Sequence, residues 1–171
     1  MHFVNRIFIV ILGCLVYSAG MLTFSAYAAS SEAKDQNALQ GLTTVRPLFD
    51  LNVGNAEELV FYLQVIKQTV DSLKEQGQTV DCIVAIRGGA VRLVTKDNWA
   101  FGEEDRAKLK QAGAIMEQMA QNGVKFEACS VAMSIFHVDP TTLLSYIKAV
   151  GNTFISLVGY QTKGYVIVPV K

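Results

Sequence analysis

The 171-residue chain is short of several things, and each shortage closes off a class of protein. It has no excess of positive charge: 15 Lys and Arg stand against 15 Asp and Glu, for a formal net charge of zero at neutral pH. No basic excess exists to attract a phosphate backbone, so nucleic acid is not expected as a partner. It is also poor in cysteine, with only Cys82 and Cys129 beyond residue 28. Two cysteines do not make a disulfide scaffold. Together with His137, the one histidine beyond that point, they match no zinc spacing, so neither a metal nor another cofactor is expected. Internal repeats and a domain-splitting linker are absent from the sequence as well.

The amino terminus, by contrast, carries a strong signal. Arg6 precedes an almost wholly apolar run over residues 7–17, and Ser25-Ala26-Tyr27-Ala28 places small residues at the A-x-A positions. This is the layout of a secretory signal peptide, with cleavage expected after Ala28 and a periplasmic or secreted location. An uncleaved membrane anchor is the rival, because residues 7–24 reach the 18-residue lower limit for a crossing helix. Leu12-Gly13-Cys14 makes a poor lipoprotein site, since Leu12 is bulky and the apolar run continues past Cys14. Cleavage leaves 143 residues and removes only Arg6 from the charged set, giving 14 basic against 15 acidic groups. A domain of that size buries a core without staples.

Residues 29–44 are polar and mixed and read as a loose tail, followed by one domain over residues 45–171. Leu48-Phe49-Asp50-Leu51 predicts a first strand, with Pro47 at its start. Asn55 predicts a helix N-cap, with Glu58 as its capping-box partner. Leu59, Leu63, Ile66, Val70 and Leu73 then step by 4, 3, 4 and 3 along one face, and Gly77 ends the helix. The apolar run over residues 80–87 predicts a strand buried on both faces, broken by Gly88-Gly89. A second helix is expected from Glu103 to Gln121, with Leu109, Ala112, Met116 and Met119 as its stripe. A strand over residues 124–129 runs into a short helix. Asp139-Pro140 predicts the start of a third helix, with Leu143, Ile147 and Val150 facing inward. Residues 154–158 read as a short strand, residues 159–164 as a connection, and residues 165–170 as a last strand that Pro169 places at an edge. Strands alternating with helices predict a three-layer α/β/α domain with a mostly parallel sheet.

In such sheets ligands bind beyond the carboxyl ends of the strands. Two of these ends carry chemistry. Cys129 stands where a strand meets a helix, so that unpaired N–H groups and the helix dipole favour its thiolate, the reactive form. Against this, most free cysteines are small buried hydrophobes. The second end is Arg87-Gly88-Gly89, with a fixed charge and glycines that let a backbone approach closely. If the two strands are neighbours, Arg87, or Arg92 beyond it, stands near the sulfur. His137 offers a base only if it reaches Cys129, and a loop histidine is more often a surface residue. Asp139 is explained by capping.

Three segments carry a family resemblance: Arg87-Gly88-Gly89-Ala90-Val91, the stretch Gly123-Val124-Lys125-Phe126-Glu127-Ala128-Cys129, and Gly159-Tyr160-Gln161-Thr162-Lys163-Gly164-Tyr165. Together they resemble the DsrE/DsrF-like family over residues 48–170. The resemblance implies a five-stranded sheet in an α/β/α sandwich and a homo- or hetero-oligomer. It also implies, for members that work in sulfur relays, a persulfide on the cysteine matching Cys129, passed between donor and acceptor proteins. Those members are cytoplasmic, and the export signal sets this chain apart from them. The expectation is therefore a periplasmic sulfur carrier or sulfurtransferase with Cys129 as nucleophile and Arg87, Gly88, Gly89 and Ser130 around the anion. The alternative is a non-catalytic module that binds a small anion or a protein segment in the same strand-end pocket.

Overall fold

The computed structural model describes residues 35–171. The signal segment, its cleavage point and residues 29–34 of the expected tail lie outside the described residues. Before Gly41 the described chain holds one helical turn, α1 (Gln36–Leu39). Thr44 already belongs to a short strand, β1 (Thr44–Val45), so the expected tail over residues 29–44 contains ordered pieces.

The domain is built on β2 (Pro47–Leu51), β4 (Ile83–Ile86), β5 (Lys125–Cys129), β6 (Ile147–Val150) and β7 (Val166–Val170). They form one sheet in the order β6-β5-β4-β2-β7, and every pairing is parallel. A second, two-stranded parallel sheet joins β1 to β3 (Thr79–Val80). The expected single strand over residues 80–87 is thus two strands. Asp81 and Cys82 form the step between the sheets, with Asp81 N–H donating to Val45 O and Cys82 O accepting from Lys125 N–H.

One face of the main sheet packs Phe49, Leu51, Val84, Ile86, Phe126 and Ala128 against α2 (Ala56–Glu75) and α3 (Glu103–Gln121). The two apolar stripes are buried as expected, except that Leu73 is only half-buried. Asn55 caps α2 by accepting from Glu58 N–H at 2.9 Å, but the Glu58 carboxylate reaches Gly54 N–H at 3.0 Å instead of Asn55's own. The box is therefore displaced by one residue. The other face carries Leu48, Ile83 and Ala85 beneath α5 (Thr153–Thr162), whose Leu157 and Tyr160 pack on them with Tyr165. Helices on both faces of a parallel sheet complete the three-layer α/β/α sandwich.

The carboxyl-terminal third departs from the sequence expectation. Asp139 does cap, accepting from Thr141 N–H at 2.8 Å, but only a 3₁₀ turn follows (Pro140–Thr142). The next backbone groups are claimed by a neighbouring segment: Lys96 N–H donates to Thr142 O and Leu144 N–H donates to Val94 O. A helix needs that carbonyl for itself. Ile147 and Val150, placed on a helix by spacing, therefore lie on strand β6. Residues 154–158, expected as a strand, lie inside α5, and the expected connection over residues 159–164 is largely its last turn. The final strand and the role of Pro169 hold, because β7 is an edge. Among the described residues no helix is long and apolar enough to cross a membrane.

Candidate functional site

The register decides the site. Ile86 lies opposite Ala128, so Arg87 is level with Cys129 on the adjacent strand, both at the carboxyl end of the sheet. Cys129 closes β5 and serves as N-cap residue for α4 (Ser130–Ile135), as the sequence implied. On the other side Val150, opposite Cys129, is followed by Gly151 and by Asn152, which caps α5 by accepting from Phe154 N–H at 2.9 Å. Two helix amino termini therefore converge on one sulfur.

Burial works against the thiolate of Cys129, but several donors outweigh it. These are the backbone N–H and side chain of Thr153 and the backbone N–H groups of Ala132 and Val131. The net effect is a thiol pKa below its ordinary value. Cys82 shows the opposite. Burial, and then the adjacent charge of Asp81, push its thiol up to about 12. Both cysteines are free, and five residues of strand separate the level of Cys82 from that of Cys129. At about 3.3 Å per residue the separation is roughly 16 Å, well beyond disulfide reach.

Cys129 opens into a cavity of about 200 Å³. Its walls are Val131, Ala132, Ile135, Phe136 and Phe154, with Arg87, Gly88, Asn152 and Thr153 completing the lining. Arg87 is held on both sides. Its Nε and Nη2 donate to Asp50 Oδ1 and Oδ2 at 2.5 and 2.8 Å, and its guanidinium lies 5.5 Å from the centre of the Phe154 ring. Asp50 drives the Arg87 pKa upward against burial, and the charge of Cys129 adds to the effect, which places the two groups within electrostatic reach. Much of the Arg87 charge is nevertheless answered by Asp50. The thiolate therefore depends first on amide donors.

Gly88 is at the cavity with φ +57, and a β-carbon there would collide with the Asn52 side-chain oxygen. Its lack of a side chain is required on both counts. Gly89 has no positive φ and does not line the cavity. Its carbonyl accepts from Arg92 Nε at 3.5 Å. Ser130 opens α4 but is not part of the lining, and the amides that act on the sulfur are those of the next two residues and of Thr153. Arg92 stands over the Phe136 ring at 5.3 Å. His137 is exposed at φ 54 and closes α4, with Val138 N–H donating to Met133 O at 2.8 Å, a helix-ending turn and not a base at the sulfur. Thr153 escaped the sequence reading because its segment was assigned to a strand. The available signal was Gly151-Asn152-Thr153, a helix stop followed by a good N-cap. Among the described residues, a groove of about 400 Å³ beside β7 and one of about 700 Å³ beside α3 are larger, but neither is lined by a cysteine or histidine.

A parallel α/β/α sandwich with a cysteine at the carboxyl end of one of its central strands defines a class of small cysteine-bearing α/β domains. Within that class the chain belongs to the DsrE/DsrF-like family, whose sequence model matches residues 55–169. An uncharacterized protein of Aquifex aeolicus (strain VF5) is 27% identical over 129 residues, which cover 73% of this chain and 56% of the relative. The matched part thus spans little more than half of that relative's length. Among solved structures, the protein of unknown function MTH1491 from Methanobacterium thermoautotrophicum superposes with a TM-score of 0.53 at 18% identity, covering 75% of this chain and 98% of its own. That likeness is one of fold.

Proposed function

We propose that this protein is an exported sulfur carrier that holds a persulfide on Cys129. The observation that carries the reading is the set of three backbone N–H groups, from two helix amino termini, converging on a sulfur inside a cavity walled mainly by apolar side chains. In the loading step the Cys129 thiolate attacks the outer sulfur of a hydropersulfide. The new bond joins Sγ to that sulfur, the old sulfur–sulfur bond breaks, and the donor leaves as a thiolate: CysS⁻ + RS–SH gives CysS–SH + RS⁻. No oxidant or metal enters the balance. Amide donors that favour the thiolate favour a persulfide anion for the same reason. The near-complete burial of Cys129, 5% exposed, suits an oxidising compartment, since it limits access to the bound sulfur. Donor and acceptor proteins in the periplasm or outside the cell are the partners this reading requires, and self-association into a homo-oligomer goes with it.

The test is incubation with a low-molecular-weight hydropersulfide followed by mass spectrometry. An adduct of one sulfur, about 32 Da, is expected on the wild type and on Cys82→Ser and not on Cys129→Ser. Equal loading of all three, or none on any, leaves the cavity as a passive binding site and ends the carrier reading.

A further inference from the structure

The groove between α2 and β7 holds about 400 Å³, within the range of small-molecule sites, and none of its lining residues lines the Cys129 cavity. Three of its side chains carry polar atoms: Arg46, Tyr62 and Thr69. The chain satisfies two of them itself. The Tyr62 hydroxyl donates to Lys171 O at 2.9 Å, and the Thr69 hydroxyl donates to Val65 O at 2.8 Å. The Arg46 guanidinium makes no hydrogen bond or ion pair among the described residues. Its charge is felt at Asp81, but Lys125 and Tyr165 already hold that carboxylate at 2.8 and 2.5 Å. The remaining walls are apolar and open to solvent: Val65, Val166 and Val168 keep 42%, 66% and 36% of their surface exposed. An occupant therefore meets apolar surface along the groove and one cation.

That cation stands at one end. Val166 N–H donates to Arg46 O at 2.8 Å, which sets Arg46 at the start of β7, while the Tyr62–Lys171 hydrogen bond lies at the strand's carboxyl end. Residues 166–170 cover roughly 13 Å at about 3.3 Å per residue. An extended hydrocarbon chain advances about 1.25 Å per carbon, so about ten carbons fill that length. A peptide strand fits less well. Val166 and Val170 bond toward β2 and Pro169 faces outward without an N–H, so an added ladder would be interrupted.

We propose that the α2–β7 groove binds a free fatty acid of about ten carbons, its chain between the helix and the strand and its carboxylate on Arg46. The guanidinium fork matches a carboxylate with two parallel hydrogen bonds, and the apolar walls gain cover that no part of the described chain gives them.

The experiment titrates the purified protein with decanoate in a calorimeter, where one saturable site per chain is expected. Affinity should fall about fourfold for each carbon removed and level off beyond about ten carbons. Arg46→Gln is expected to weaken decanoate about tenfold and to leave neutral decanol unchanged. Val65→Glu places a charge in the groove at an exposed helix position, where folding is expected to survive, and should abolish binding of both. Ile155→Glu, on the outer face of α5, should retain it. The proposal is overturned by an absence of saturable binding, by binding that Val65→Glu leaves intact, or by equal loss of decanoate and decanol in Arg46→Gln. Sedimentation of Val65→Glu gives a further check: dissociation of an oligomer would assign the groove to a second copy of the chain and overturn the fatty-acid site.

Discussion

Replacing Arg87 by Gln is the perturbation for which the structure gives the clearest magnitude. By sequence alone the change removes one positive charge from the neighbourhood of Cys129 and leaves the fold untouched. The structure gives it a larger consequence. Arg87 is the bidentate partner of Asp50, and the side-chain exposures are 19% and 9%. Removing one member of a pair this buried strands the other charge, which costs about 3–5 kcal/mol in comparable cases. The guanidinium retains some contact with solvent, so the lower end, about 3 kcal/mol, is expected. Domains of this size have total stabilities of only about 5–15 kcal/mol, so the variant folds with a much thinner margin. With a urea m-value of about 1.5–2 kcal/mol/M, the midpoint falls by roughly 1.5–2 M. The double variant Asp50→Asn/Arg87→Gln removes the stranded charge and is expected to recover more than half of the loss. The single variant also removes the Arg87 charge that acts on Cys129, so alkylation of Cys129 should shift to higher pH. A single variant that loses less than about 0.5 kcal/mol would refute the reasoning, because the pair would then be behaving as a screened surface bridge.

The two neighbouring glycines should part company. Gly88→Ala is expected to lose about 2 kcal/mol, from the left-handed backbone and the collision with Asn52, and Gly89→Ala little, as urea titration will show; equal losses would contradict the backbone geometry. The two thiols should titrate in opposite senses. Alkylation of folded protein is expected to reach half-maximal rate for Cys129 below the free-thiol value of about 8.5, with Cys82 unmodified until the chain unfolds. The lowered Cys129 pKa contributes stability above the unfolded-state value and loses it as pH falls through the folded one. Cys82, raised from 9.0 to about 12, contributes stability fully present below about pH 9 and lost as pH rises toward 12, at up to about 1.4 kcal/mol per unit. Urea midpoints that do not fall between pH 9 and 11 would contradict this assignment. Sedimentation at micromolar concentration is expected to show a homo-oligomer that Ile155→Glu, on the outer face of α5, dissociates and Val166→Lys does not. The free edge of β7 is a poor interface, because Val166 and Val170 bond toward β2, which leaves Pro169, without an N–H, facing outward. A wild-type monomer would refute it.

Periodicity and punctuation were enough to determine most of the frame. The stripe Leu109, Ala112, Met116 and Met119 has one amphipathic solution, and α3 runs from Glu103 to Gln121 as its spacing implies. The cysteine at the end of β5 was legible for a similar reason: β-prone residues run into small ones, and the chain has to turn there. Residues 139–164 were not legible, because local signals competed. Asp139-Pro140 is a sound helix start, yet Thr142 O and Leu144 N–H are taken by Lys96 and Val94, far away in sequence. Phe154, Ile155 and Val158 are β-prone in isolation and become helical only as α5 covers the sheet. That misassignment hid the second helix amino terminus and Thr153 with it. The sequence by itself supplied the cysteine at the strand end and the sandwich. Only the tertiary structure decided what surrounds the sulfur, because parallel register set Arg87 level with Cys129, Asp50 took up the Arg87 charge, and Thr153, on a helix 24 residues further along the chain, joined the Val131 and Ala132 amides at the sulfur.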